Sequence, residues 1–176
     1  MILVDSCVLI DVLENDQEWA DWSQRQLESW SVRGPLLINP VIYAELAAYA
    51  ISKESLDAEV AQAALALREF SSEALFLAGR AHAAYRRRGG LRAGVLADFL
   101  VGAQAAVLQI PILTRDVARF RSYFPTVKLV SPEEMILCRR RVFKPSRRTF
   151  PACDASQAIF RQPSAGRRHS ESRSRR

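Results

Sequence analysis

Acidic residues stand along the chain at positions where the strands of a predicted sheet end or its helices begin. Asp5 ends the first apolar run, and Asp116 closely follows the predicted strand at residues 110–114. Asp98 lies near the start of the helix before that strand, and Glu45 lies one turn inside another predicted helix. Carboxylates gathered in one place repel one another unless cations neutralise them. We therefore predict that these four acids are metal ligands and catalytic residues.

The expected ion is Mg²⁺ or Mn²⁺, because carboxylate oxygens are hard ligands that suit both ions. Such ions keep bound waters and also bind phosphate oxygens, so the matching reaction is hydrolysis of a phosphodiester bond. One ion lowers the pKa of a bound water and orients it, and a second, about 4 Å away, stabilises the leaving oxygen. The sequence leaves open whether one ion or two act. Neither a His nor a Cys nucleophile is needed for this chemistry.

Strands and helices alternate along the predicted domain. The predicted strands are residues 2–5, 36–38, 110–114 and 127–130, and the predicted helices are residues 6–13, 16–32, 40–49, 55–70, 72–88, 98–108 and 118–123. Ser6 and Asn39 are expected to cap the helices that follow them, and Pro40 suits a first helical position. The alternation predicts an α/β fold of three layers, α/β/α, with a central parallel sheet of about four or five strands and helices on both faces.

The predicted topology brings the acids to one place. In open parallel sheets the functional crevice lies beyond the carboxyl ends of the strands, where loops and helix starts meet. Asp5, Asp98 and Asp116 belong there by position, and Glu45 is placed to join them from one side.

The net charge of +6 is unevenly distributed. From Cys138 onward the chain has twelve Lys or Arg residues and two acids, about +10. Residues 1–137 have thirteen Lys or Arg and seventeen acids, about −4. An acidic domain with a basic tail differs from a domain that holds nucleic acid through one broad basic face. The negative charge of residues 1–137 instead favours a site that binds cations.

The composition predicts one domain at residues 1–137 and a basic, disordered tail at residues 138–176, where Ser, Arg and Pro dominate. No apolar run approaches the roughly 20 residues of a membrane span. The first residues lack the pattern of an export signal. The three widely spaced cysteines, Cys7, Cys138 and Cys153, are expected to be reduced thiols. These features predict a cytoplasmic protein without a membrane partner.

Four segments that contain the acids resemble, in order and spacing, the motifs of PIN-domain VapC toxins. They are VDSCVLID (4–11), VIYAEL (41–46), LADFLVGAQA (96–105) and LTRDVARF (113–120). The resemblance covers residues 1–134. It implies a Mg²⁺- or Mn²⁺-dependent endoribonuclease, the toxin of a type II toxin–antitoxin system, which blocks translation by cutting transfer or ribosomal RNA. It also implies a cognate VapB-type antitoxin and a homodimer.

The chain departs from the family pattern at two places. Cys7 stands where the family often has Asn, and Ala118-Arg119 replaces an acid sometimes found just past the last motif. Because of these departures, the exact set of metal ligands stays open. Supporting roles for Ser6 and Thr114 also stay open.

Thr114 and Arg115 are candidate substrate-binding residues. Thr114 is placed to orient a ligand or a phosphate, although a Thr at a strand end is also ordinary. Arg115 has two possible partners, the substrate or an antitoxin carboxylate, and the sequence does not choose between them. Asp11 is expected either to have a structural role or to support the metal ligands.

Each Asp also has a simpler explanation, because an Asp after a strand is often a helix cap. A Glu on a helix, such as Glu45, is often simply exposed to solvent.

The main functional alternative is a PIN-like module that binds protein or RNA without turnover. Metal titration separates it from a nuclease, since a binding module need not bind Mn²⁺ or Mg²⁺ through Asp5 and Asp116. A phosphatase with Asp5 as nucleophile is a weaker alternative, because Ser6-Cys7 follows where an Asp-x-Asp pattern is usual.

Overall fold

A computed structural model of the chain describes residues 1–91 and 95–132. The strands within this part are β1 (Ile2–Val4), β2 (Leu36–Ile38), β3 (Leu65–Leu67), β4 (Ile112–Leu113) and β5 (Leu129–Val130). The helices are α1 (Ser6–Leu13), α2 (Ala20–Ser31), α3 (Pro40–Leu46), α4 (Lys53–Gln62), α5 (Ser72–Arg87), α6 (Val95–Leu108) and α7 (Val117–Tyr123). The predicted tail at residues 138–176 lies outside the described residues.

All five strands are parallel and lie in the order β3-β2-β1-β4-β5. The chain begins at the centre, moves outward to β3, and then crosses to β4 and β5 on the other side of β1. Because such crossovers are right-handed, the two directions of travel place helices on opposite faces of the sheet. The predicted three-layer α/β/α fold is therefore confirmed, with five strands.

The core lies on both faces of the central strands. Every residue of β1 is fully buried, and the residues of β2 and β4 are also buried. Short, continuous apolar strands are typical of a parallel sheet covered on both sides. Within residues 1–91 and 95–132, none of the helices has the length and apolar character needed to cross a bilayer.

Side-chain caps explain where several helices begin. Asn39 Oδ1 accepts the backbone N–H of Ile42 at 2.9 Å, and Pro40 is the first residue of α3, which confirms both predictions. The prediction for α1 was wrong by one residue. Asp5, not Ser6, is the N-cap, because Asp5 Oδ1 accepts the backbone N–H of Ser6.

The predicted helix at residues 55–70 was wrong in its second half. The helix α4 starts at Lys53, capped by Ser52, and ends at Gln62, where Ala64 then adopts a left-handed φ of 51°. Leu65–Leu67 instead pairs with β2 as an edge strand. Leu and Ala favour helices locally, so the pairing with β2 overrides the intrinsic preference of this segment. The structure also starts α6 at Val95, three residues before the predicted start at Asp98.

The close approach of α6 and the end of α7 depends on Gly102. A Cβ atom built on Gly102 would lie 2.3 Å from a ring carbon of Phe124, the residue that ends α7. Both residues are buried. Any side chain at position 102 must therefore displace the aromatic ring or the helix that carries it.

We predict that Gly102→Ala lowers the free energy of unfolding by about 1–3 kcal/mol through overpacking. Urea unfolding measures this change. Gly79→Ala is the matched control, since Gly79 lies inside α5 with nothing within 4 Å of a built Cβ. There the gain in helix propensity should raise stability by about 0.5–1 kcal/mol. Equal effects of the two substitutions would contradict the proposed contact.

Candidate active site at the carboxyl edge of the sheet

The register of β1 and β4 places Asp5 beside Thr114. Val4 pairs with Leu113, and the backbone N–H of Asp5 donates to the Leu113 carbonyl at 3.0 Å. These strands adjoin at the point where the chain changes its direction of travel across the sheet. Such a switch point opens a crevice beyond the strand ends, which is where Asp5 lies.

The Asp5 carboxylate is held by hydrogen bonds to both oxygens. Asp5 Oδ1 accepts the backbone N–H of Ser6 at 3.0 Å, and Oδ2 accepts the Thr114 hydroxyl at 2.6 Å. The Cys7 thiol lies 3.4 Å from Oδ2 as a weak donor. Burial, followed by the charge of Asp5, raises the pKa of Cys7 to about 12, so Cys7 remains a thiol. The fold therefore orients Asp5 before any ligand arrives.

Burial is the largest influence on Asp5, and it raises the pKa of this carboxyl above its ordinary value. The hydrogen bonds from Thr114 and Cys7 act in the opposite direction, because they stabilise the ionised form. The charges of Glu45 and Asp98 raise the pKa further. The charges of two of the other three predicted acids therefore affect the pKa of Asp5.

Thr114 links Asp5 to the start of α7. Its side chain is fully buried, and while its hydroxyl donates to Asp5, the same oxygen accepts the backbone N–H of Asp116 at 3.0 Å. Asp116 is the N-cap residue of α7, yet its side chain makes no capping hydrogen bond. Helix capping therefore does not account for the Asp116 carboxylate. The predicted contact of Thr114 with substrate stays a prediction.

Asp98 faces the same acids from α6. Burial raises the pKa of Asp98, the ion pair with Arg119 lowers it, and the charges of Asp116 and Glu45 raise it again. Together with the influences on Asp5, this result joins all four predicted acids in one electrostatic group. Glu45 contributes from the partly exposed side of α3.

A buried amide pair joins the helices that carry Glu45 and Asp98. Asn39, which caps α3, donates from Nδ2 to Gln104 Oε1 on α6 at 3.0 Å. The Gln104 amide in turn donates to the carbonyls of Arg68 and Glu69 at 3.0 and 3.2 Å. Sequence reasoning missed Gln104, although a Gln among the apolar residues of α6 is a signal of such a role. This network holds α3 and α6 in a fixed relation at the site.

The acids fit a divalent cation by donor type and charge. Their oxygens are the hard ligands that Mg²⁺ and Mn²⁺ take, and a bound cation would offset the burial and mutual repulsion acting on Asp5 and Asp98. Across residues 1–91 and 95–132, no three His, Cys, Asp or Glu side chains stand close enough to hold an ion together. Mg²⁺ is commonly bound through one or two carboxylates with water in its remaining positions, so fewer than three of these acids are sufficient.

A family model described as PIN domain matches residues 2–123 of the chain. The chain belongs to the PIN domain family. PIN domains are generally nucleases and use divalent metal ions.

Solved structures share the fold of this PIN domain. A chain of VapBC2 from Rickettsia felis, bound to a promoter DNA fragment, is 17% identical with a TM-score of 0.58, over 74% of this chain and 98% of that one. A chain of FitAcB from Neisseria gonorrhoeae is 18% identical with a TM-score of 0.56, over 76% and 99%. A chain of a toxin–antitoxin complex from Klebsiella pneumoniae is 21% identical with a TM-score of 0.52, over 75% and 98%. Among curated proteins, no sequence match is significant.

Arg115 of this PIN domain anchors the loop after β4. Its Nη2 lies 2.7 Å from Oδ1 of the buried Asp11, whose other oxygen accepts the Ser23 hydroxyl at 2.7 Å. The guanidinium also lies 5.3 Å from the centre of the Trp19 ring. These contacts favour the structural role, one of the two roles expected of Asp11, and substrate binding by Arg115 stays a prediction.

We predict that Asp5→Asn stabilises the metal-free protein at pH 7. The fold raises the pKa of Asp5, so ionised Asp5 destabilises it, whereas Asn is neutral and can still accept the Ser6 N–H. The gain should shrink as pH falls through the interval between the raised pKa and the ordinary value of 3.8, because protonation then neutralises Asp5 itself.

Urea unfolding in EDTA across this pH range measures the effect. Glu28→Gln, which removes the charge of an exposed acid on α2, is the control and should change stability little. A loss of stability in Asp5→Asn at pH 7 would show that the hydrogen bonds to Asp5 outweigh its burial.

Proposed function

We propose that this PIN domain is a Mg²⁺- or Mn²⁺-dependent endoribonuclease of the VapC type, the toxin of a type II toxin–antitoxin system. The observation that carries the proposal is the placement of Asp5 and Asp116 at the carboxyl ends of adjacent strands, joined through the Thr114 hydroxyl. The charges of Glu45 and Asp98 act on Asp5 there, and the charge of Asp116 acts on Asp98. Phosphodiester hydrolysis is the chemistry that such a carboxylate group serves when it holds divalent ions.

A divalent ion bound by these acids would supply an activated water and positive charge opposite the phosphate. The chain's own contribution is to hold the ligands ready. The hydroxyl of Thr114 and the N–H of Ser6 fix the two Asp5 oxygens, and each oxygen keeps acceptor capacity for a further partner. Thr114 also fixes the backbone of Asp116. We assign Thr114 a positioning role between these two acids.

The proposed substrate is RNA, cut in transfer or ribosomal RNA so that translation stops. The proposed partners are a VapB-type antitoxin and a second copy of the chain, in the cytoplasm. The resemblance of the four acidic motifs to VapC toxins and the likeness to chains of VapBC and toxin–antitoxin complexes support this assignment. The acidic charge of residues 1–137 is compatible with a site that first gathers cations and then binds phosphate.

Two observations favour a second candidate, a PIN-like binding module without turnover. Arg119 forms an ion pair with Asp98, and across residues 1–91 and 95–132 no three metal-ligating side chains stand close together. A module whose acids are occupied in this way has no need for a metal. The two candidates differ in whether Asp5 and Asp116 bind Mn²⁺ or Mg²⁺.

We predict that purified wild-type protein, freed of antitoxin, cuts cellular RNA at discrete positions with Mn²⁺ or Mg²⁺ and not with EDTA. Asp5→Asn should lower the rate on the order of a hundredfold or more, because a ligand to the ion is lost. Mapping every new 5′ end measures cleavage and identifies the RNA.

Glu28→Gln is again the matched control, since it removes a carboxylate charge on α2 and should cut at the wild-type positions. Circular dichroism of each variant checks that it remains folded. No cleavage by folded wild type with either ion would favour the binding module. Cleavage by Asp5→Asn at the wild-type rate would exclude the proposed site.

A further inference from the structure

Arg119 places a positive charge inside the acid group. It is the third residue of α7, and its Nη1 donates to Asp98 Oδ2 on α6. The same Nη1 lies 3.9 Å from Asp116 Oδ2. The three side chains are partly exposed, at 36% for Arg119, 28% for Asp98 and 52% for Asp116. One guanidinium nitrogen therefore lies within ion-pair distance of two predicted metal ligands.

A second divalent ion held by Asp98 and Asp116 would compete with this guanidinium for their carboxylate oxygens. Two-ion sites hold their ions about 4 Å apart and share carboxylates between them. A guanidinium that bonds to Asp98 Oδ2 and lies near Asp116 Oδ2 uses the oxygens that a second ion needs. Because a guanidinium stays charged at any pH that a folded protein tolerates, titration cannot free these oxygens.

The charges also favour a single ion. The four carboxylates carry four negative charges, and Arg119 offsets one of them. One divalent ion leaves the group with one net negative charge, whereas two would make it net positive. Asp5 is bonded to Thr114 and has no ion pair with Arg119 among the described residues. An ion can therefore bind near Asp5 while the guanidinium remains in place.

We propose that Arg119 takes the place of a second divalent ion. This PIN domain then binds one ion near Asp5, and the Arg119 guanidinium supplies the positive charge that a second ion would otherwise supply. The inference rests on the proposed metal dependence of the site. It follows from a residue that sequence reasoning treated only as a departure from the family pattern.

The test is the number of Mn²⁺ ions bound per chain, measured by calorimetric titration and by electron paramagnetic resonance of the full, antitoxin-free protein. Wild type should bind one ion and give the spectrum of an isolated ion. Arg119→Gln should bind two ions with a spin-coupled spectrum, and its first ion should bind tighter, on the order of tenfold, since a nearby positive charge is gone. Arg119→Lys keeps the charge and should still bind one ion.

Arg25→Gln is the matched control, because it removes an exposed Arg from α2 and should keep one ion. Thermal unfolding establishes that each variant is folded, and wild type and Arg119→Lys test the stoichiometry even if Arg119→Gln fails to fold. Two coupled ions in wild type, or one ion with unchanged affinity in Arg119→Gln, would overturn the inference and leave the proposed nuclease intact. The absence of Mn²⁺ binding in all the folded variants would overturn both.

Discussion

Repulsion between carboxylates governs this structure, because a parallel sheet delivers its strand ends and helix starts to the same edge. Asp5 arrives there from β1, Asp116 from the turn after β4, and Asp98 and Glu45 from neighbouring helices. Burial is the main cause of the raised pKa values of Asp5 and Asp98, and the charges of the neighbouring acids raise them further. The chain tolerates the arrangement because hydrogen bonds and the Arg119 guanidinium offset part of the negative charge. The remaining negative charge is what the proposed divalent ion would neutralise.

Buried hydrogen bonds hold the elements that carry these acids in place. Thr114 joins the end of β1 to the start of α7, and the Asn39–Gln104 amide pair joins α3 to α6. Both contacts satisfy all the polar groups they bury on the side chains concerned, which is the condition for a polar network to be stabilising. They hold four acids on four different elements in one arrangement, so that the binding of an ion need not order the backbone as well.

The sequence was sufficient for features that depend on neighbouring residues. Asp5 follows an apolar strand and Asn39-Pro40 marks a helix start, so the fold class was predictable from local patterns. Each of the four acids also lies within a local motif, which is why the sequence singled them out, and their roles stay predictions. Features set by distant residues were not. The edge strand at Leu65–Leu67 exists because β2 pairs with it, and the Arg119–Asp98 pair exists because α7 packs on α6. Neither the edge strand nor the ion pair can be predicted from local helix preference or from motif comparison.

The absence of a side chain at Gly102 has a consequence for electrostatics. Phe124 lies against the bare backbone there, and this contact sets how near α7 stands to α6. Arg119 and Asp98 belong to those two helices, so the strength of their attraction depends on the same gap. A residue with no functional group thus acts as a spacer between charges. Graded increases in the size of residue 102 would weaken the Arg119–Asp98 ion pair step by step without altering a single ionisable group.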